Sequence, residues 1–162
     1  MDGARPDVHS AESAATMAEL ARLATWSLWV PFADAVDTAP RTPGVYLARR
    51  RNGPLVYVGM AGERRGMGIR GRLRVYSTGK AAVSGLGEAA FNRALADPEF
   101  VRARLAELAA GRPEKAQAWA RAALDLADLE VCWAATLDRR SALDLEQQVV
   151  TRARDRGLWN IR

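Results

Sequence analysis

Two short apolar runs, each pairing a tyrosine with a glycine, constrain the fold of this chain most strongly. Gly44-Val45-Tyr46 and Tyr57-Val58-Gly59 are separated by ten residues, and Asn52-Gly53 lies between them. Asn-Gly between β-branched and aromatic runs is a strong sequence signal for a β-hairpin. The sequence therefore predicts two antiparallel strands that carry Tyr46 and Tyr57, with glycines that allow a close approach of backbone or ligand. From these residues alone, tyrosines packed in the core of a sheet are the simpler interpretation.

The segment after the hairpin predicts a helix over residues 69–76. At about 100° per residue, Arg72 falls within the apolar arc of this helix, whereas Arg70 and Arg74 fall on the opposite side. A buried charge without a partner is costly, so Arg72 is expected to have one. Tyr76 lies one turn further along, at the spacing where side chains of a helix meet.

The last helix predicted from the sequence carries a second charge within an apolar face. Glu146 falls in the middle of an arc formed by residues 142, 143, 149, 150 and 153. Glutamate is rarely buried without a partner. Two explanations remain open at this point: a structural salt bridge between Glu146 and Arg72, or a metal-binding carboxylate that faces a shared cleft.

Together these residues resemble the GIY-YIG endonuclease superfamily and are similar to the N-terminal nuclease domain of its excision-repair members. The resemblance runs from Gly44 to Ile161, with departures in a longer link at residues 63–68 and in Met60, where the excision-repair nuclease has lysine. It implies structural roles for Gly44 and Gly59, and it makes Asn160 the closing asparagine of the family. It also implies that Glu146 holds Mg²⁺ or Mn²⁺, within a set of catalytic candidates that comprises Tyr46, Tyr57, Arg72, Tyr76 and Glu146.

The order of the elements predicts an α+β fold with a small antiparallel three-stranded sheet flanked by helices. The third strand is expected over residues 129–136. An N-terminal tail and helical arm would occupy residues 1–43, with about 14 residues without regular structure and then a helix over 15–29. The GIY-YIG-like domain would span residues 44–162, and the resemblance makes residues 85–127 a helical insertion.

The distribution of basic residues along the chain indicates a class of binding partner. The chain of 162 residues has a net charge of +5, and residues 49–80 contain nine basic residues but one acid, Glu63. Such a stretch is either a solvated face or the footprint of a polyphosphate partner, because arginine suits phosphate oxygens. The candidate nucleic-acid-binding residues are Arg64, Arg65, Arg70, Arg74, Lys80 and Asn160.

The function expected from the resemblance is a divalent-metal-dependent DNA endonuclease that hydrolyses phosphodiester bonds in duplex or branched DNA. A nucleic-acid-binding module that keeps the fold without catalysis is the alternative, and a purely structural domain is a third. Single copies of histidine (His9) and cysteine (Cys132) argue against a histidine-dependent triad or a thiolate zinc cluster. The absence of a signal-peptide pattern and of a long apolar run predicts a cytoplasmic protein without a membrane partner, serving repair, restriction or another pathway.

Overall fold

The computed structural model describes residues 8–160, with the burial of side chains described from residue 11 onward. The elements follow in the order α1 (Val8–Leu20), β1 (Val30–Pro31), α2 (Phe32–Thr38), β2 (Gly44–Arg50), β3 (Leu55–Ala61), α3 (Gly68–Ser77), α4 (Gly85–Leu95), α5 (Pro98–Ala109), α6 (Ala116–Ala127), β4 (Leu129–Ala135) and α7 (Arg139–Ala153). Short 3₁₀ turns at Arg64–Gly66 and Arg154–Arg156 precede α3 and follow α7. The fold is therefore α+β.

The sheet has four antiparallel strands in the order β1-β4-β2-β3, which corrects the three strands expected from the sequence. The additional strand, β1, has two residues and ends in a proline. A segment this short carries no alternation of apolar and polar residues, and proline occurs in sheets at edges, so sequence patterning could not reveal it. Its register is Val30 opposite Val131 and Pro31 opposite Glu130.

The hairpin predicted around Asn52-Gly53 is present and joins β2 to β3. Asn52 adopts a left-handed φ of 52°, and the Gly53 amide donates to the Arg50 carbonyl at 2.8 Å. The pairing shifts between Ala48 and Arg49, because Ala48 pairs with Tyr57 while Arg49 pairs with Leu55. Val56 is thus the extra residue of a β-bulge, which places it on the same face of the sheet as Tyr57.

Helices cover both faces of this sheet. Tyr46 and Ala48 of β2 pack with apolar residues of α3 and α4 on one face, here called the tyrosine face. Val45 and Leu47 pack on the other face, with Leu20 of α1 and a stripe of α7 that comprises Leu145, Val149 and Ala153. Alternation along β2 therefore separates the core into two layers, and α7 lies on the face opposite the tyrosines.

The N-terminal arm differs from the expectation. Helix α1 begins at Val8 and ends at Leu20, rather than running from residue 15 to residue 29. Residues 24–29 have no helix, and the Trp26 indole donates to the Leu20 carbonyl at 2.9 Å, which turns this segment back onto the sheet. The segment predicted as a helical insertion contains α4, α5 and α6. Among residues 8–160, no helix combines the length and the apolar character needed to cross a bilayer.

Candidate active site

Three tyrosines from three elements converge on the tyrosine face. The hydroxyls of Tyr46 and Tyr76 share a buried hydrogen bond of 2.7 Å, in which either oxygen can be the donor. The Tyr46 and Tyr57 rings are stacked with centroids 6.2 Å apart, and Tyr46 meets Tyr76 edge-on at the same separation. The hairpin supplies Tyr46 and Tyr57, while α3 carries Tyr76 across them.

The strand glycines make room for this arrangement. Gly59 lies directly opposite Tyr46 in the β2–β3 pairing, and a Cβ at Gly59 would overlap the ring and hydroxyl of Tyr46. A Cβ at Gly44 would overlap the Ala134 carbonyl and would lie 2.7 Å from Cδ1 of Ile69. Both glycines therefore allow close approach, Gly59 to the Tyr46 ring and Gly44 to the neighbouring strand β4 and to helix α3.

Arg72 lies beside the tyrosines. Its guanidinium carbon is 4.8 Å from the centroid of the Tyr76 ring, a distance at which a cation is attracted to an aromatic face. Partial burial by itself lowers the pKa of Arg72, but the neighbouring phenols of Tyr76 and Tyr46 outweigh it and leave the pKa raised. Arg72 is therefore a positive charge held permanently at the edge of the tyrosine cluster.

Burial keeps two of the tyrosines protonated. Desolvation, followed by the nearby Tyr76 and Tyr57, raises the pKa of Tyr46 well above its usual value. Desolvation also raises the pKa of Tyr57, and there the charge of Arg72 acts to lower it while that of Glu146 acts to raise it. Tyr57 is therefore the tyrosine whose hydroxyl lies near both predicted charges, and at 8% exposed it is the most accessible of the three.

Glu146 influences the pKa of Tyr57, although it lies on an element outside the tyrosine face. Helix α7 packs on the opposite face, and Glu146 is half-buried beside its apolar stripe. The stripe itself differs from the predicted one, because Leu145 is buried and Leu143 is 37% exposed. The salt bridges among residues 8–160 do not include a pair between Arg72 and Glu146.

Gly85 is a site residue that sequence reasoning missed. It begins α4 with a φ of 58°, a left-handed value that favours glycine. A Cβ there would overlap the Tyr76 hydroxyl and would lie 2.8 Å from Nη2 of Arg72 and 3.3 Å from the Tyr57 hydroxyl. The Ser84-Gly85 dipeptide is a turn signal, but no local pattern shows which side chains lie against it.

The predicted nucleic-acid-binding arginines and lysine lie on α3 and in the turns at its two ends. Arg70 donates from Nε to the Ala39 carbonyl at 2.7 Å, and Arg74 pairs with Asp37 of α2 at 3.0 Å. Arg64 and Arg65 are exposed in the turn before α3, with left-handed φ values of 44° and 55°, and Lys80 is exposed after α3. Arg70 and Arg74 are thus held against α2, while the other three project from turns at the two ends of α3.

Asn160 is engaged with the edge strand. Its side-chain oxygen accepts a hydrogen bond from the Val58 amide at 3.0 Å, and its side-chain nitrogen donates to the Val58 carbonyl at 2.7 Å. The neighbouring Trp159 amide donates to the Val56 carbonyl at 2.6 Å. The residues after α7 therefore cover the outer edge of β3, and Asn160 reaches the backbone of the strand that carries Tyr57.

Glu146 is the only predicted metal ligand, and the described residues contain no closed metal site. Residues 8–160 contain no group of three or more histidine, cysteine or acidic side chains that could hold a metal together. Mg²⁺ commonly keeps several waters and binds through one or two carboxylates, so the single carboxylate of Glu146 is compatible with it. No family model, curated protein or solved structure matches the chain, so the GIY-YIG resemblance depends on the motif residues alone.

Proposed function

We propose that this protein is a divalent-metal-dependent DNA endonuclease of the GIY-YIG type. The observation that supports this most directly is the convergence of Tyr46, Tyr57, Tyr76 and Arg72 on one face of the sheet, with the charge of Glu146 close enough to influence Tyr57. A phosphodiester placed beside this cluster would meet one fixed cation, Arg72, and Tyr57, the least buried of the three tyrosines. Hydrolysis of such a bond needs these two elements, charge stabilisation and an oriented water.

Each residue has a specific part in this proposal. Arg72 binds the non-bridging oxygens of the scissile phosphate and stabilises the charge that grows on them in the transition state. Tyr57 orients the attacking water as a neutral phenol, because burial holds its pKa too high for it to act as a base near neutral pH. Tyr46 and Tyr76, through their shared hydrogen bond, fix the position of Tyr57 and Arg72.

A metal ion would be held by Glu146. When bound, Mg²⁺ or Mn²⁺ supplies Lewis acidity to the phosphate and to the departing oxygen. In this arrangement Glu146 of α7 would bind the metal, while Arg72 on the tyrosine face binds the phosphate.

The alternative, a nucleic-acid-binding module without catalysis, is favoured by one observation. The raised pKa values of Tyr46 and Tyr57 mean that both phenols are protonated at neutral pH, so neither can act as a general base toward the attacking water. Such a module would bind DNA in the presence of chelator and would not cleave it in the presence of metal.

Cleavage assays separate the two functions. Supercoiled plasmid, branched duplex and single strands are incubated with Mg²⁺, with Mn²⁺ or with chelator, using the wild type, Glu146→Gln and Asp144→Asn. Asp144 is an exposed carboxylate on the same helix and provides the matched control. We expect metal-dependent nicking by the wild type and by Asp144→Asn, and its loss in Glu146→Gln with DNA binding retained. Nicking by Glu146→Gln at the wild-type rate would exclude the metal-binding role.

A further inference from the structure

A second cationic site lies on the tyrosine face, at the hairpin end of the sheet. A cavity of about 160 Å³, here called the Trp159 pocket, is lined by Arg50 at the end of β2, Arg93 of α4, Trp159 and Asp97. Alanines of α4 and α6 supply much of the remaining wall, so small side chains leave the space open. None of these residues belongs to the tyrosine cluster.

Two arginines flank one buried ring in this pocket. The guanidinium carbon of Arg93 is 4.5 Å from the centroid of the Trp159 ring, and that of Arg50 is 5.4 Å from it. Arg93 is held further by a hydrogen bond of 3.1 Å from Nη1 to the Ala89 carbonyl. Trp159 is 6% exposed, so its faces are covered and the ring orients the arginines rather than stacking on a ligand.

The positive charge of the pocket is only partly offset by the described part of the chain, because two arginines and one carboxylate, Asp97, line it. Among residues 8–160, neither Arg50 nor Arg93 forms a salt bridge. The carboxylate of Asp97 also lines the pocket, and it accepts a hydrogen bond from the Glu99 amide at 2.9 Å, which caps α5. Burial, followed by the charge of Arg50, lowers the pKa of Arg93, as expected for two neighbouring cations. Two like charges that share a single neighbouring carboxylate still repel each other, and an anion bound between them would relieve that repulsion.

The size and donors of the pocket fit a phosphate group. Guanidinium groups offer forked donors that match phosphate oxygens, and two of them converge here from different elements. A volume of about 160 Å³ holds a phosphate with a few waters, at roughly 30 Å³ for each water. The buried tryptophan and the alanine walls leave no surface for a base to stack upon.

The position of the pocket relates it to the candidate active site. Arg50 lies four residues beyond Tyr46 on the same strand and face, and Arg93 lies eight residues beyond Gly85 on the same helix. Both separations correspond to about 12–13 Å.

We propose that the Trp159 pocket binds a second backbone phosphate of the nucleic acid, about 12–13 Å from the bond placed at Tyr57 and Arg72. The choice of a nucleic acid, rather than a free phosphate, rests on the proposed function. The pocket would act by orienting the strand along the tyrosine face, so its loss weakens binding and leaves the chemistry of a saturated complex intact.

Salt-dependent binding tests this proposal without any cleavage. Anisotropy of a labelled DNA duplex is measured in chelator over a salt series for the wild type and for the double variant Arg50→Gln/Arg93→Gln. The control, Arg102→Gln/Arg152→Gln, removes two exposed arginines outside the pocket. We expect the pocket variant to bind several-fold more weakly and to lose about one unit of salt slope, the value for one phosphate contact. Equal slopes in the two double variants would overturn the proposal, as would a wild type that binds no DNA.

A second variant and a second ligand complete the design. Leu126→Glu adds a carboxylate at a rim position that is 52% exposed, so it leaves the arginines and the fold in place and is expected to weaken binding in the same way. If the double variant melts early, Leu126→Glu decides the outcome. Inorganic phosphate is the second ligand. If it binds the pocket while the pocket variant keeps the wild-type salt slope of DNA binding, the site is one for free phosphate instead. The binding series is run in chelator, so its outcome does not depend on whether the protein cleaves DNA. Conversely, unchanged salt slopes would refute the phosphate site without affecting the cleavage test of Glu146.

Discussion

At the scale of single residues, Gly85 offers the sharpest test of how closely the site is packed. Alanine at this position would strain a left-handed backbone and would push a methyl group against Tyr76, Arg72 and Tyr57. Gly111 has a similar φ of 75°, but a Cβ there would meet no atom within 4 Å, so Gly111→Ala carries the backbone cost alone. We expect each substitution to destabilise the protein by about 1 kcal/mol or more. Only Gly85→Ala should also lower cleavage, measured as single-turnover rate beside a thermal melt.

The comparison of Gly85→Ala with Gly111→Ala is informative in both directions. Loss of cleavage in both variants would mean that overall stability, rather than the shape of the site, controls the rate. Unchanged cleavage in Gly85→Ala would mean that the Arg72 and Tyr76 side chains move aside without loss of function, and the tyrosine cluster would then not be the reacting centre.

At the scale of an element, α3 places three arginines in three different environments. Arg72 lies against the Tyr76 ring, Arg70 donates to the Ala39 carbonyl, and Arg74 forms an exposed pair with Asp37. Glutamine at each position removes one positive charge, so the three variants are matched in net charge. We expect Arg72→Gln to abolish turnover, and Arg74→Gln to change little, because exposed ion pairs contribute at most ~1 kcal/mol. Arg70→Gln should lower stability by about 1 kcal/mol through its lost hydrogen bond and keep turnover. Equal turnover in all three would refute the distinct role of Arg72.

The same helix shows what the sequence could and could not predict. Periodicity predicted Arg72 toward the apolar side and Arg70 and Arg74 toward solvent. In the structure all three are half-buried, because Arg70 and Arg74 contact α2 and the residue that follows it. Their partners could not be predicted, since Ala39 and Asp37 are more than thirty residues away along the chain. On α7, the wheel centred on Glu146 assigned Leu143 to the core, whereas Leu145 is buried there, because the packing of α7 on β2 and β3 fixes its rotation.

At the scale of the whole molecule, pairing across the sheet reduces the charge that the sequence concentrates in residues 49–80. Arg49 and Arg51 form salt bridges with Glu130 and Asp128, which lie beside them only because β2 pairs with β4. The basic stretch is therefore less uniform in space than in sequence. Within residues 8–160, the arginines left outside these salt bridges include Arg72 at the tyrosine cluster and Arg50 in the Trp159 pocket. This redistribution requires the topology and cannot be read from composition.

Alkaline pH tests the buried tyrosines through the stability of the whole domain. Tyr46 and Tyr57 have folded pKa values raised by burial above the unfolded value of about 10. The folded state thus holds protons that the unfolded state releases, so their contribution is complete below about pH 10 and is lost as the pH rises beyond it. The free energy of unfolding should then fall by up to ~1.4 kcal/mol per pH unit for each tyrosine. Denaturant titrations at successive pH values measure this slope, and tyrosinate absorbance should appear together with unfolding.

The Cys132 thiol also contributes to the pH dependence of the free energy of unfolding, and it must be removed before that dependence is assigned to the tyrosines. Burial raises the pKa of the Cys132 thiol, whose unfolded value is about 8.5, so its own loss of stability begins at lower pH. We therefore expect the free energy of unfolding of Cys132→Ala to begin its fall at higher pH than that of the wild type. Tyr57→Phe in the Cys132→Ala background should then make the fall with pH shallower, by up to the contribution of one proton, ~1.4 kcal/mol per pH unit. A decline that is the same with and without Tyr57 would show that its phenol ionises freely in the folded state. Tyr57 would then be available as a base near its ordinary pKa, and the water-orienting role proposed for its neutral form would have to be replaced by proton abstraction.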